Sequence, residues 1–449
     1  MRVCIYEDRR VRDLEPLTLT RPVADLICGL TTLGQKQAHY FAAKTVSHLC
    51  RPVVADLIRG RDLVASVNDP TWLRAAPAIL VNARWVPPSG TFSPLDSRRA
   101  LIRSATPNPL ADGPYLGTVK GEIAFAVLDM RWLQAVNPVT LDRCLDEWLQ
   151  ALPAYEVAGT LVSRLWELIE LNAGQIHNDF ALESRQIDAG FRPLDFSLVG
   201  PADRLLIHPS ARIDPMVVAD TTNGPVIIGA NAVVHSFTRL EGPCAIGAGS
   251  ILLGARIRAG TTIGLNCRIG GEVESSIVLG YTNKYHDGFL GHSYVGRWVN
   301  LAAATQTSDI RCDYEPVRVS LNNREIHTGI TKVGAFIGDH VQTGIGVLLN
   351  CGTTIGPFAR VLPTGTYAPQ EIPAFHRYGP QGLKELKDRN RLLASADTMM
   401  RRRGKQLTPA LAAVYRSIFG TNAVKSSNLA CYTDTLTETM FDDPIMPDV

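Results

Sequence analysis

Lys284, His286, Asp287, His292 and Asn300 fall within one short stretch, Gly280 to Ile310, between glycines and apolar positions. An imidazole, a carboxylate, an amine and a carboxamide in one place are the ingredients of proton transfer at a polar ligand. Histidine suits the part of base because its unperturbed pKa lies near neutral pH. Lys284 and Asp287 flank His286, which makes His286 the candidate base. The bland alternative is a loop histidine that bonds only backbone. The stretch breaks a regular repeat, however, and repeat proteins build binding surfaces where the repeat is interrupted.

The elements that must position these groups show in the flanking periodicity. Apolar residues recur every six positions at Ile228, Val234, Leu240, Ile246 and Leu252, then, after a one-residue slip, at Ile257, Ile263 and Ile269. A second run is Ile337, Thr343, Leu349, Ile355 and Val361. Small residues follow, as in I-G-A-N-A-V and I-G-D-H-V-Q. A six-residue period predicts a parallel β-helix, with three hexads to a triangular turn of roughly 18 residues. Residues 205–373 then hold roughly eight turns. A sandwich would alternate with period two instead.

Residues 1–182 read differently. Short apolar strands near 3–6, 78–81 and 123–128 alternate with helical spacing near 33–44, 141–152 and 161–171, which predicts an α/β domain. A polar linker with Gly190 and Pro193 spans 183–204. Residues 374–449 form a tail with helical spacing at 383–395 and 407–419. Lys384, Lys387, Arg389 and Arg391 are expected on its solvated face.

Composition excludes several classes. Apolar residues make up 45% and charged residues 20% of 449, as in folded globular proteins. A net charge of +2 marks neither a nucleic-acid nor a membrane surface. No apolar run approaches the roughly 20 residues of a membrane span. The N-terminus turns acidic at Glu7 and Asp8, unlike a signal peptide. Nine cysteines with no C-x-x-C pair speak against a structural zinc site and a disulfide framework, and for a reducing cytoplasm.

Five motifs carry a resemblance. They are T-R-P-V-A-D-L (Thr20 to Leu26), L-W-E-L-I-E-L-N (Leu165 to Asn172), Y-T-N-K-Y-H-D-G-F-L-G-H-S-Y-V-G-R-W-V-N (Tyr281 to Asn300), Y-E-P-V-R-V (Tyr314 to Val319) and F-I-G-D-H-V-Q-T-G-I-G (Phe336 to Gly346). On these, residues 1 to about 375 resemble the bifunctional N-acetylglucosamine-1-phosphate uridyltransferase/glucosamine-1-phosphate N-acetyltransferases, nearest to a divergent bacterial sugar-nucleotidyltransferase branch. The resemblance implies an α/β nucleotidyltransferase-like domain followed by a left-handed β-helix and a homotrimer with sites between neighbouring coils. It implies acetyl-CoA as co-substrate, an amino-sugar 1-phosphate as acceptor, and synthesis of nucleotide sugars such as UDP-N-acetylglucosamine.

Residue by residue, His286 matches the base of acetyl transfer and Asn300 an acceptor-sugar contact. Arg258 matches a phosphate-binding arginine, and Asp309 falls near a further acceptor contact. Ala302, Ala303, Thr305 and Lys332 fall in the acetyl-CoA-binding part. Two positions depart: Ser276 stands for a phosphate-binding lysine and Phe289 for a tyrosine, with Lys284, Tyr281 and Tyr285 as the nearby substitutes. The acetyl-CoA segment, G-A-G-T in the family, is here Ala302-Ala303-Ala304-Thr305, and alanine resists the positive φ that glycine allows. The N-terminal domain lacks the Gly-rich phosphate loop after its first strand. Arg21 and Lys36 are then the cations for nucleotide phosphate, and Asn82 stands where a carboxylate for Mg²⁺ is expected.

Three other readings compete. One is a β-helix acyltransferase whose N-terminal domain no longer transfers nucleotides. Another is a zinc hydratase like the γ-class carbonic anhydrases, with His286, His292 and one of His235, His327 or His340 as ligands. The last is a non-catalytic β-helix scaffold.

Overall fold

The structure is a computed structural model that describes residues 2–91, 113–183 and 196–419. The N-terminal half is a mixed sheet with helices around it. Its strand order is Ala154–Glu156, Tyr115–Val119, Glu122–Leu128, Ala78–Asn82, Val3–Tyr6, Val46–Leu49 and Val64–Val67. Val3–Tyr6 runs parallel to both neighbours, and only Glu122–Leu128 runs against its own. The central strands are buried on both sides, which is why they read as unbroken apolar runs.

From Leu205 the chain coils as a parallel β-helix. One face stacks Leu205–Ile207, Val226–Ile228, Cys244–Ile246, Thr261–Leu265, Ile277–Gly280, Tyr294–Arg297, Phe336–Ile337, Thr354–Ile355 and Glu371–Ile372. In register, Ile246 lies on Ile263, Ile263 on Val278, Val278 on Val295, Val295 on Ile337 and Ile337 on Ile355. These residues form the inner core with the other hexad positions. The one-residue slip after Leu252 corresponds to a tight corner at Gly254, with φ +52° inside the strand Ile251–Ile257.

Two expectations change. The stretch from Gly280 to Ile310 does not leave the prism. Asn283–Lys284, Phe289–Gly291 and Gln306–Thr307 are coil strands, and Val295, Val299 and Leu301 point into the core. The excursion is 309–333, which carries the antiparallel hairpin Arg318–Leu321 and Arg324–His327. The helix expected from 383 begins only at Arg389. Gly382, at φ +76°, turns the chain so that Gly382–Glu385 pairs antiparallel with His376–Gly379 at the last coil. A second helix covers 409–419. The basic residues 384, 387, 389 and 391 are exposed, as expected. Most of the expected linker (184–195) and the segment 420–449 lie outside the described residues.

The two halves are joined by a continuous core. Ile277, Leu279, Tyr294 and Phe336 of the coil pack with Val3, Leu33, Trp166 and Ile169 of the N-terminal half. Asn172, on the helix Leu165–Glu183, donates to the Gly260 carbonyl at 2.8 Å and to Thr262 at 3.0 Å. The Tyr294 hydroxyl donates to the Ile27 carbonyl and accepts the Ile27 N–H, both at 2.8 Å. Arg21 pairs with Asp339 on the coil, and Lys36 holds Asp179 at 2.6 Å. All four side chains are buried. The two expected nucleotide cations, Arg21 and Lys36, are therefore spent inside the protein and are not phosphate ligands.

Removing one member of a buried ion pair strands the other charge in a poorly solvating interior. Arg21→Met is expected to destabilise the chain by about 3–5 kcal/mol in urea denaturation. A loss below about 1 kcal/mol would show that Asp339 reaches water.

Candidate active site on the coil face

The strands Arg256–Ile257, Glu272–Glu274, Phe289–Gly291 and Gln306–Thr307 stack coil upon coil. Ile257, Val273, Leu290 and Thr307 are buried beneath. Alternation along each strand then turns Arg256, Arg258, Glu272, Glu274, Phe289 and Gln306 outward. At about 3.3 Å per residue, the face is on the order of 10 Å wide, close to the size of a sugar ring with its substituents.

His286 lies on the corner by which the chain enters this face, and it is exposed. The Tyr285 ring stands edge-on at 6.1 Å. Lys284 is not beside it on the surface as expected. Its side chain is buried and its Nζ donates to the carbonyls of Gly270 at 2.7 Å and His286 at 3.3 Å. Burial pulls the Lys284 ammonium down to about 8, against the opposite pull of Asp287. Lys284 is thus a prop under the His286 corner rather than a substrate ligand.

Asn300 sits one coil on, where its Oδ1 accepts the Asn283 amide at 2.8 Å. Ala304 adopts φ +58°, so alanine takes the left-handed corner that glycine was expected to need. Its N–H donates to the Asp287 carbonyl at 2.8 Å and that of Ala302 to the Thr343 hydroxyl at 2.9 Å, while the carbonyl of Ala303 accepts from Gly346 at 2.9 Å. Thr305 is buried, its hydroxyl 2.7 Å from that of Thr343. Ala302 and Thr305 therefore spend their polar groups within the coil, contrary to their expected contact with acetyl-CoA. Ser276 is likewise buried and bonds backbone carbonyls.

At the far edge, Arg258 lies 3.3 Å from Glu241 and 3.4 Å from Glu272. Lys332 is half-exposed and lies 3.6 Å from Glu274. Asp309 is 7% exposed, and its carboxylate is 2.7 Å from Nδ1 of His292. In the sequence His292 stands in the polar cluster and among the candidate metal ligands, and nothing there pairs it with Asp309 seventeen residues on. The other histidines disperse. His235 pairs with Asp214, His327 is on the hairpin, and His340 is buried between Phe358 and Tyr415. Among the described residues no three His, Cys, Asp or Glu come together as a metal site.

The N-terminal half has its own cleft of about 90 Å³ at the carboxyl ends of Val3–Tyr6 and Ala78–Asn82. This is where open α/β sheets bind ligands. It is lined by Asp8, Arg9, Arg10, Arg84, Glu122 and Asp142, all missed at the level of sequence. The signal was E-D-R-R directly after an apolar strand. Asn82 is there but buried, holding Asp8 at 2.9 Å. Burial opposes the Asp8 charge, but the Arg84 guanidinium outweighs it and holds the carboxyl below its usual range. Three of its four acids have an arginine partner: Asp8 and Glu122 pair with Arg84, Glu122 also with Arg10, and Asp146 with Arg9, while Asp142 accepts the Arg9 backbone N–H at 3.0 Å. That donor set does not fit Mg²⁺, which needs carboxylates free to coordinate.

A family model described as sugar nucleotidyl transferase matches residues 3–187. A protein of Escherichia coli K12 named as an uncharacterized acetyltransferase, YaiX, is 32% identical over 169 residues, which cover 35% of this chain and 74% of that protein. A bifunctional sugar-1-phosphate nucleotidylyltransferase/acetyltransferase of Sulfurisphaera tokodaii is 37% identical over 92 residues, 20% of this chain and 23% of that one. The chain belongs to the sugar nucleotidyltransferase/acetyltransferase family. The bifunctional protein GlmU of Xylella fastidiosa, another member, is 30% identical over 242 residues, 48% of this chain and 49% of its own. The matches thus span from about a quarter to about half of these two bifunctional members.

Two substitutions test the geometry. The folded chain releases the Lys284 proton at about pH 8, whereas the unfolded chain keeps it to 10.5. Stability therefore rises with pH across that window. Lys284→Met should flatten the rise relative to the unsubstituted chain in urea denaturation at pH 8 and 10.5; an unchanged slope would put the ammonium in water. Ala304→Gly should raise stability by about 1 kcal/mol, because glycine takes positive φ without strain. A loss instead would show that Ala304 is not left-handed.

Proposed function

We propose that the coil face is the site of acetyl-CoA-dependent acetyl transfer to the amine of an amino-sugar 1-phosphate. The observation that carries this is the exposed face itself: on a β-helix of this family, an imidazole stands at each edge, with an aromatic ring and a guanidinium between them. The amine attacks the thioester carbon, the C–S bond breaks, and the amine's proton leaves to an imidazole of the face. His286 stands at the position the resemblance marks for that proton, and it is open to solvent. Asn300, Asp309 and Arg258 remain as acceptor contacts, and Ala303 and Lys332 as contacts for acetyl-CoA. Tyr285 lines the entry beside His286.

The reading includes a homotrimer. By register, Phe237 and Ile345 occupy the His286 corner on other coils, and they are 74% and 71% exposed. An apolar column on both sides of the imidazole fits a seam with a neighbouring copy. The described cysteines are free thiols, which fits a reducing compartment such as the cytoplasm. No helix among the described residues is long and apolar enough to cross a membrane.

The N-terminal half handles the nucleotide sugar at its strand-end cleft, where Arg9 and Arg10 replace Arg21 and Lys36 as the cations for phosphate. The pathway is supply of nucleotide sugars such as UDP-N-acetylglucosamine. A second reading, in which the cleft binds without transferring, is favoured by one observation: three of its four carboxylates are already paired with arginines.

The test is a panel. The purified chain with acetyl-CoA and amino-sugar 1-phosphates should yield an acetylated sugar phosphate by mass spectrometry. UTP, dTTP or CTP with sugar 1-phosphates forms the second arm. Acetylation without nucleotidyl transfer selects the binding-only cleft; no acetylation from any acceptor removes the proposal.

A further inference from the structure

Two carboxylates of the N-terminal cleft are bridged by a single nitrogen. Asp8 follows the strand Val3–Tyr6, and Glu122 opens the antiparallel strand Glu122–Leu128, so both reach the same edge of the sheet. Nη2 of Arg84 lies 2.6 Å from Asp8 and 3.1 Å from Glu122. Its Nε donates to Asp8 at 3.0 Å and its Nη1 to the Val162 carbonyl at 2.9 Å. The side chain of Arg84 is 1% exposed and that of Asp8 is 10% exposed. Burial opposes the guanidinium charge, but Asp8 and Glu122 outweigh it and hold Arg84 above its usual range.

Mg²⁺ at phosphate-handling sites is held by one or two carboxylates together with the phosphates themselves. Asp8 and Glu122 form a pair of that kind, with a guanidinium already between them. Taking Arg84 away would strand Asp8 in a poorly solvating interior, so the arginine does not leave to admit an ion. The outer cations are held differently. Arg9 lies 3.3 Å from Asp146, and both side chains are more than half exposed. Arg10 lies 2.5 Å from Glu122 and 3.1 Å from Asp13, in pairs that are also open to water. Ion pairs so exposed contribute little and are exchanged at little cost. A phosphate monoester, with nearly two charges and three acceptor oxygens, is a stronger partner for a guanidinium than one carboxylate. The cleft encloses about 90 Å³, well under the roughly 300 Å³ of the smaller ligand pockets. It therefore has room for one group of a ligand and leaves the remainder to solvent.

We propose that the cleft binds the phosphate of a monoester directly on Arg9 and Arg10 and needs no divalent cation, because Arg84 occupies the position between Asp8 and Glu122 that a cation would take. This rests on the reading that the cleft handles sugar phosphates or nucleotides, and it sets the metal requirement of that binding. The inner guanidinium is a fixed countercharge, and the outer two exchange their carboxylates for the ligand. A sugar 1-phosphate and a nucleoside monophosphate both carry the required group.

The test uses the full chain, with glucose 1-phosphate and UMP as separate probes, titrated by calorimetry in EDTA and in MgCl₂. The affinity of a bound probe should agree within about 2-fold between the two buffers. It should fall about 10-fold or more in Arg9→Gln and in Arg10→Gln, each of which removes charge-assisted hydrogen bonds. Which probe binds identifies the source of the phosphate. Binding that appears only with MgCl₂ overturns the proposal and leaves the cleft a phosphate site. Binding unmoved by both substitutions, or no binding of either probe, overturns both. A second measurement follows Mn²⁺ alone by electron paramagnetic resonance. The unsubstituted chain should leave the ion free, and Arg84→Met, which vacates the position between the carboxylates, should bind it. Mn²⁺ held by the unsubstituted chain and lost in Asp8→Asn overturns the proposal. So does an Arg84→Met chain that keeps the native circular dichroism spectrum and binds none.

Discussion

Everything on the surface of the β-helix is located by one constraint inside it: each inward aliphatic side chain must rest on its counterpart in the coil below. Ile246, Ile263, Val278, Val295, Ile337 and Ile355 form one such column. Once that column is in register, the residues on either side of each member are forced outward, and they too form columns. Arg256 over Glu272 over Phe289 is a consequence, as is the glycine at 291 beside the carboxylate at 309. The site is thus assembled from residues far apart in sequence without any loop having to fold over it.

The same regularity explains what was legible. A six-residue period survives in the sequence because only inward positions are constrained, so the β-helix could be read directly. The stretch around His286 looked like an insertion because its inward residues, Val295, Val299 and Leu301, do not keep the six-residue spacing. Pairings across coils could not be read, because nothing local to His292 announces Asp309. Burial was equally hidden. Lys284 has the composition of a surface ligand, and only the stacking of Gly270 against its coil shows that the amine points beneath the surface.

The N-terminal half shows the limit of reading cations as phosphate ligands. Arg21 and Lys36 lie in polar surroundings in the sequence, yet each meets a carboxylate that folding brings from elsewhere, Asp339 from the coil and Asp179 from the long helix. Arg21 instead ties the N-terminal half to the coil, and Lys36 ties the helix Leu33–Tyr40 to the helix Leu165–Glu183. The arginines left to the cleft come from the turn after the first strand, where the chain carries no glycine-rich loop.

The strand pair His376–Gly379 and Gly382–Glu385 reverses direction at the final coil, and the helices after it cover Phe358 and Phe375. A stack of parallel coils is in principle unbounded, since its terminal rung offers the same unpaired amides and carbonyls that every earlier rung used. A rung of opposite polarity breaks that template. The prism therefore cannot be extended by another molecule docking its first coil onto this last one, and growth into filaments is closed off at this end by the chain itself.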